Sequence, residues 1–450
     1  MKSLLGKKIR VGSFIFSVLL AMIMIVFAAL QMNGEHSYFQ VFTFVINGIV
    51  IYAMFVKGLA RHLFSVDLIH SIFCLVFFWI APTLQIATGF SAWGLRIGEE
   101  DIIRANLLIL TWLIFYNFGA FIAGNRYWKI KTAEFSAISK KSIMTLWWIT
   151  IIVSALIAVK NGFRIEEISF SDSDNQAIGL LVNHSLVAFM TFSTLITVLW
   201  FKNNGYSKIY PLISIICLLL TCFPTSLSRY AAGAIYVCLL VNLCPWFQKK
   251  HRFVFLMILG IMVLFPIMGL YRYRNIAEVS INEIINQLFS VKEYFSTANY
   301  DAYQLLIAST QFVNVHGITW GLQFLGALLF FVPRQFWNSK PVGSGNYISE
   351  MLGLTFKNIS CPLVAESYIN FGVIGVILFA LVLGSLFRKI DNTFWLHAKG
   401  KLSFNSLLYF YLLPYTLFLC RGDLMSTWAY LCANLAVLFV LVKMLQKKRN

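Results

Sequence analysis

The sequence predicts an all-α polytopic membrane protein with about 12 transmembrane helices and one long loop. Three observations predict it. Of 450 residues, 59% are hydrophobic and only 12% are charged, where soluble domains carry roughly 25%. Mean hydropathy is +0.76. Apolar runs of about 20 residues, the length that crosses a ~30 Å hydrocarbon core as a helix, recur along the chain. This composition excludes a soluble enzyme domain. The net charge of +18, from 36 basic and 18 acidic residues, would point to nucleic acid in a soluble chain. Here it reads as a topology signal, and no nucleic-acid partner is expected.

The predicted spans run in order. The first, 11–31, follows a basic start with no small-x-small cleavage site after it, so it reads as an uncleaved helix rather than a signal peptide. The next five are 39–56, 65–86, 102–124, 142–159 and 178–201. Spans seven and eight, 209–223 and 230–245, are joined by the tight turn from Pro224 to Ser228. The ninth is 253–270. The last three are 366–387, 403–420 and 424–442. With the N-terminus inside, 24 of the 36 basic residues fall on the inner face. Only three acids, Asp67, Glu134 and Asp391, join them there. Both termini are therefore expected in the cytoplasm of a bacterial inner membrane. The chain divides into 1–270 (helices one to nine), 271–365 (a long periplasmic loop) and 366–450 (helices ten to twelve). Seven of eight cysteines lie in spans and only Cys361 in a loop, so no exterior disulfide framework is expected. No CxxC, HExxH, GxGxxG or Walker pattern occurs.

Every connection but 271–365 is short, and loops this long are uncommon without a function. Ile281, Ile284, Ile285, Leu288 and Phe289 follow the helical period, with Ser280 and Glu283 as a capping box. This predicts an amphipathic helix on the membrane surface. A second helix is predicted over 301–312. The apolar stretch 318–332, with Gly321 and Gly326 inside, reads as re-entrant or in-plane. Letting it span would move the basic clusters after it outside.

Six cations face outward at helix ends or in the loop: Arg229, Arg272, Arg274, Arg334, Lys340 and Arg421. Arginine binds phosphate bidentately and keeps its charge, so several converging on one cavity suit a diphosphate. The bland reading of each is snorkelling to lipid headgroups. Pro333 and Pro341 bracket Arg334, Trp337 and Lys340. Trp337 suits an interface or a sugar face, and Gly343-Ser344-Gly345 beyond allows close approach of a ligand. Glu366 opens the tenth span, where the helix dipole alone would favour an acid. An ionisable group at membrane depth is also a functional candidate. Asp301, Glu350, His316 and Asp423 are weaker acid–base candidates. His184 reads as packed or pore-facing, and Asp67 and His70 as interfacial anchors.

The residues from Tyr271 to Asp423 resemble the bacterial Wzy-type O-antigen, or oligosaccharide repeat-unit, polymerases. The carriers are Tyr271-Arg-Tyr-Arg274, Tyr300-Asp301-Ala-Tyr303, Pro333-Arg-Gln-Phe-Trp337-Asn-Ser-Lys-Pro341, Glu366-Ser-Tyr-Ile-Asn-Phe-Gly372 and Arg421-Gly-Asp423. The resemblance implies a metal-independent glycosyltransferase of GT-C-like fold that needs no cofactor. It would transfer a growing glycan from undecaprenyl diphosphate to the terminal sugar of a new lipid-linked repeat unit. A chain-length regulator of the Wzz type would be a partner, beside membrane lipid. Glu366 and Asp301 are then the catalytic candidates, and the six cations with Trp337 bind diphosphate and sugar. Two rivals stand beside this reading: the related O-antigen ligase, and a flippase for the same lipid-linked unit. A flippase is expected to show paired halves and short loops, and this sequence has neither.

Overall fold

The computed structural model describes residues 37–129, 138–162, 176–270, 279–289, 297–357, 359–399 and 403–446, with a few isolated positions besides. They form α1 (Tyr38–Arg61), α2 (Val66–Ala87), α3 (Glu99–Ala123), α4 (Lys140–Lys160) and α5 (Gln176–Asn203). Next come α6 (Ile209–Thr221), α7 (Arg229–Leu243), α8 (Arg252–Met268), α9 (Ile281–Phe289) and α10 (Ala302–His316). The rest are α11 (Leu322–Leu328), α12 (Ser344–Met351), α13 (Leu363–Thr393), α14 (Phe404–Arg421) and α15 (Leu424–Leu445). No strand occurs among the described residues.

Among the described residues, eight helices are long and apolar enough to cross a membrane: α1 to α6, α13 and α15, with α6 carried on to Ser226 by a 3-10 turn. The chain is thus a multi-pass membrane protein. The predicted twelve windows and these eight differ in four places. The first window lies outside the described residues but for isolated positions. α7 has 15 residues, about 22 Å at 1.5 Å per residue, short of a ~30 Å core. α8 is likewise a shorter apolar helix. α14 has 18 residues but carries Pro414, three tyrosines and terminal Arg421, and is not among the eight. The apolar stretch 318–332 holds only the seven-residue α11, about 10 Å, which cannot span.

The compact units cut across the predicted division of the chain. One gathers Met1–Tyr127, Gln248–Asn392 and Thr416–Ser426; the other Trp128–Phe247, Thr393–Tyr415 and Thr427–Asn450. In the first unit α2 is the central helix, with 89% of its apolar window buried, where α15 has 28%. Its π-turn, Val76–Ile80, precedes Pro82, and that of α8, Gly260–Leu264, precedes Pro266. Proline offers no N–H, and the wider turn absorbs the missing bond. The predicted second loop helix exists as α10, but it is no surface helix. Residues 301–310 are all buried. The Tyr303 hydroxyl lies 3.0 Å from Asn106 Oδ1 and 3.2 Å from the Ile102 carbonyl, both on α3. Gln85 of α2 donates to the Tyr300 carbonyl at 3.1 Å. The loop is thus sewn into the helix bundle. The surface-type pattern survives only in α9, where Ser280 Oγ accepts from the Glu283 N–H at 3.2 Å as its capping signature requires.

α3 and α13 cross backbone to backbone. A Cβ at Gly384 would lie 2.1 Å from the Tyr116 carbonyl oxygen, and one at Gly119 2.1 Å from that of Leu381. Ser385 donates to the Gly119 carbonyl at 2.8 Å. Small residues permit such crossings in membranes. Gly384→Val is expected to cost at least the ~1–3 kcal/mol of an overpacked core. Detergent-extracted protein should lose its monodisperse peak; an unchanged peak would mean that the crossing is looser than this.

In the second unit the helices α4, α5 and α6 pack through small polar residues. Thr197 of α5 donates to Ser214 Oγ of α6 at 3.2 Å, and Ser154 of α4 to the Cys217 carbonyl at 3.2 Å. His184, predicted as packed or pore-facing, is packed: its ring centroid is 3.5 Å from that of Tyr430.

Candidate active site

The sequence around Glu366 folds as a broken helix. α13 opens after Pro362, runs about two turns and breaks at Phe371 and Gly372, the latter at φ +62°. Only glycine takes that conformation readily. The break frees the Ile369 and Asn370 carbonyls, which accept from Thr319 N at 2.9 Å and Gly321 N at 3.0 Å. Asn370 closes the junction, its Nδ2 donating to the Glu366 carbonyl at 2.8 Å and its Oδ1 accepting from Phe324 N at 2.9 Å. Irregular backbone in a span survives where protein groups satisfy it, and here the Ile369 and Asn370 carbonyls are satisfied and both residues are buried. Gly372 supplies the positive φ. Gly375 packs closely: a Cβ there would lie 2.2 Å from the Ser367 carbonyl oxygen.

Glu366 is 1% exposed. Its Oε2 accepts from the Ser344 hydroxyl at 2.6 Å and its Oε1 from Leu424 N, the first residue of α15, at 2.8 Å. Asp423 stands beside it as the cap of α15. Its Oδ1 accepts from Met425 N at 3.0 Å and Ser426 N at 3.3 Å, and its Oδ2 from Gly345 N at 3.0 Å. Two carboxylates therefore share the start of one helix, where the dipole favours negative charge. Burial pushes the Asp423 carboxyl above the ordinary range, and the backbone donors of Gly345, Ser426 and Met425 pull it back.

Asp301 and Arg421 form a second buried pair. Arg421 Nη2 lies 2.6 Å from Asp301 Oδ1 and 3.0 Å from the Ala298 carbonyl. Trp93 Nε1 donates to Asp301 Oδ2 at 3.2 Å. The three residues Arg421-Gly-Asp423 thus place a cation on one acid and a carboxylate beside another.

The other candidates fall elsewhere. Arg334 donates to the Lys340 carbonyl at 2.6 Å and the Pro341 carbonyl at 3.4 Å. Lys340 Nζ donates to the Phe330 and Val332 carbonyls at 2.6 and 2.9 Å. These two cations staple their own loop, with Trp337 half-exposed on it. Burial, then the neighbouring Arg334, lowers the Lys340 pKa. The close approach expected of Gly343-Ser344-Gly345 is made to the protein itself. A Cβ at Gly343 would lie 2.5 Å from Asp423 Oδ2, and one at Gly345 2.1 Å from the Ile359 carbonyl oxygen. Arg229 begins α7 in the second unit, after the Ser228 cap. Arg272 and Arg274 lie outside the described residues. Glu350 is ion-paired with Lys357 at an exposed site, and His316 is exposed against the Phe312 ring.

Asp67 and His70, expected as interfacial anchors, are buried instead. Asp67 Oδ2 is 2.7 Å from Arg388 Nη2, and Tyr116 donates to its Oδ1 at 2.8 Å. The His70 ring stacks on Tyr116 at 3.9 Å. Sequence reasoning ranked Asp423 too low. An acid just before an apolar run is a cap signal, and it was there to be read. Trp93 and Ser344 carried no local signal, since each meets its partner only through the fold.

No protein-family model, curated protein or solved structure matches this chain.

Proposed function

We propose that the chain is a polysaccharide polymerase of the bacterial inner membrane, with twelve spans, a GT-C-like fold and both termini in the cytoplasm. It transfers a growing glycan from undecaprenyl diphosphate to the terminal sugar hydroxyl of a new lipid-linked repeat unit. The observation that carries the reading is the buried Glu366–Asp423 pair at the head of a broken span, one glycine away from a buried arginine. The Glu366 motif and the Arg421-Gly-Asp423 motif that the resemblance rests on lie far apart in the chain, and the meeting of Glu366 with Asp423 and Leu424 supports it.

In this chemistry the acceptor oxygen forms a bond to the anomeric carbon, and the bond from that carbon to the diphosphate breaks. Glu366 takes the hydroxyl proton. Its Oε2 already binds a hydroxyl, that of Ser344, and a sugar hydroxyl can replace it there. Asp423 holds the start of α15 against Glu366 and orients Leu424 N toward it. The departing diphosphate gains charge, which fixed cations stabilise without reorganisation. Arg421 is the cation nearest in sequence to the pair. Arg334 and Lys340, with Arg272, Arg274 and Arg229, are the further phosphate ligands of this reading, and Trp337 a sugar platform. Asp301 holds the Arg421 fork in position. A Wzz-type regulator would set chain length.

Protein purified into liposomes should lengthen a lipid-linked repeat unit without a transmembrane gradient. Strict dependence on a gradient, with movement of the unit and no lengthening, would replace this reading with the flippase. Transfer to lipid A core alone would replace it with the ligase. Topology has its own test. Phe336 is 83% exposed, so in a Cys244→Ser background Phe336→Cys should react with an impermeant thiol reagent from outside, and Lys399→Cys only after lysis. Outside labelling of Lys399→Cys would reverse the last three spans.

A further inference from the structure

The first unit holds a second polar centre that the proposed chemistry does not use. It lies at the far end of α13. Arg388 lies on the long segment of α13 after its break, 16 residues beyond Gly372, about 24 Å along a helix. There the ends of α1 and α13, the start of α2 and Asn117 of α3 line a cleft open to solvent. Inside, it has room for little more than a water-sized group, so only the tip of a ligand can enter. Lys57, Arg61 and Arg388 line it with Asp67 as the single carboxylate, and Ser65, Ser71 and Tyr116 add hydroxyls.

The acids at this end are already engaged. Asp391 Oδ1 and Oδ2 accept from Val66 N at 2.8 Å and Asp67 N at 3.1 Å. Asp67 holds Tyr116 and Arg388. The cations are less so. Arg61 Nη2 donates to Asn392 Oδ1 at 2.7 Å and its Nε to His62 Nε2 at 3.2 Å, which leaves Nη1 for a ligand. Arg388 is only 8% exposed, yet its Nε has no hydrogen-bond partner. Lys57 is exposed at the mouth. A buried guanidinium N–H without an acceptor is costly, and burying positive charge is tolerated when an anion completes the site. Such an anion must be small at its tip and strongly accepting.

We propose that this cleft binds a phosphate group, its oxygens directed at Lys57, Arg61 and Arg388. The phosphate belongs either to the headgroup of an anionic membrane lipid or to a free phosphate ion. The site is independent of the polymerase reading and is tested without assaying activity. Thermal unfolding of the full-length protein in neutral detergent is followed with added phosphatidylglycerol, phosphatidylcholine or inorganic phosphate. The same series is run on Lys57→Gln/Arg61→Gln, which leaves the buried Asp67–Arg388 pair intact. Phosphatidylglycerol is expected to stabilise the wild type where phosphatidylcholine does not. The variant should need about tenfold more of it, the loss expected from charge-assisted hydrogen bonds. Equal stabilisation of the wild type by millimolar inorganic phosphate, again lost in the variant, assigns the site to the free ion. Stabilisation that is the same in the variant and the wild type, or none from either phosphate source, overturns the proposal.

Discussion

Glu366→Gln is expected to abolish long glycan chains while the protein stays at normal abundance in the membrane. The geometry makes this substitution unusually clean. A glutamine carbonyl still accepts from Leu424 N, and its amide donates to Ser344 Oγ, so both hydrogen bonds of Glu366 are replaced. What disappears is the charge and the ability to take a proton. A general base contributes typically 10²- to 10⁴-fold, enough to reduce a ladder to single repeat units. A helix-terminus role alone contributes about 0.3–1 kcal/mol, too little to stop chain growth. Glu366→Ala would be a poorer experiment. It strands a buried hydroxyl and a backbone N–H, at about 1–3 kcal/mol each, and mixes folding with chemistry. A normal ladder from Glu366→Gln at normal abundance would confine Glu366 to capping α15.

Arg421→Ala is expected to lose the protein itself. Removing one partner of a buried ion pair costs about 3–5 kcal/mol, since it leaves the other charge buried alone. Here that charge is Asp301, 1% exposed, whose Oδ2 accepts from Trp93 Nε1. The double change Asp301→Asn/Arg421→Gln removes both charges and should restore much of the abundance. It should not restore polymerisation if Arg421 also meets the diphosphate. Membrane abundance and ladder length of the two single changes and the double form a cycle that separates the roles. Near-normal abundance of Arg421→Ala would mean that the pair is solvated and not a buried strut.

Much of this was legible in the sequence, and the limits have physical causes. Helix lengths and their apolar character follow from burial in lipid, which acts on every residue of a span. α1 to α6, α13 and α15 were therefore found within a few residues. α9 was found because its period and its Ser280 cap are local. α10 was found as a helix, but its burial was not legible, because burial depends on partners such as Asn106 and Gln85, some 200 residues away. The site was legible in part. Glu366 and Arg421 were picked out as charges at apolar boundaries, where they are anomalous, and Asp301 as a weaker candidate raised by the resemblance. Which acid meets which base was not legible. Arg421 adjoins Asp423 in sequence and yet bonds Asp301, because the cap of α15 takes Asp423 first. Arg334 and Lys340 read as phosphate ligands, but the turn between two prolines exposes carbonyls that their donors can reach locally.

The order of synthesis adds a constraint of its own. Asp301 leaves the ribosome 120 residues before Arg421, and Glu366 leaves it 58 residues before Leu424. At roughly 5–20 residues per second, the first interval alone is about 6–24 seconds. Through it the nascent chain carries acids that have only their earlier partners, Trp93 and Ser344, and not yet Arg421 or Leu424. They must wait at the membrane–water boundary, hydrated or protonated, and move inward only when the final hairpin arrives. The last turn of chain thus acts as a keystone, and insertion of α15 is the event that completes the charge centre. A chain that stops short of it exposes an unfinished acidic core to the membrane's quality-control proteases.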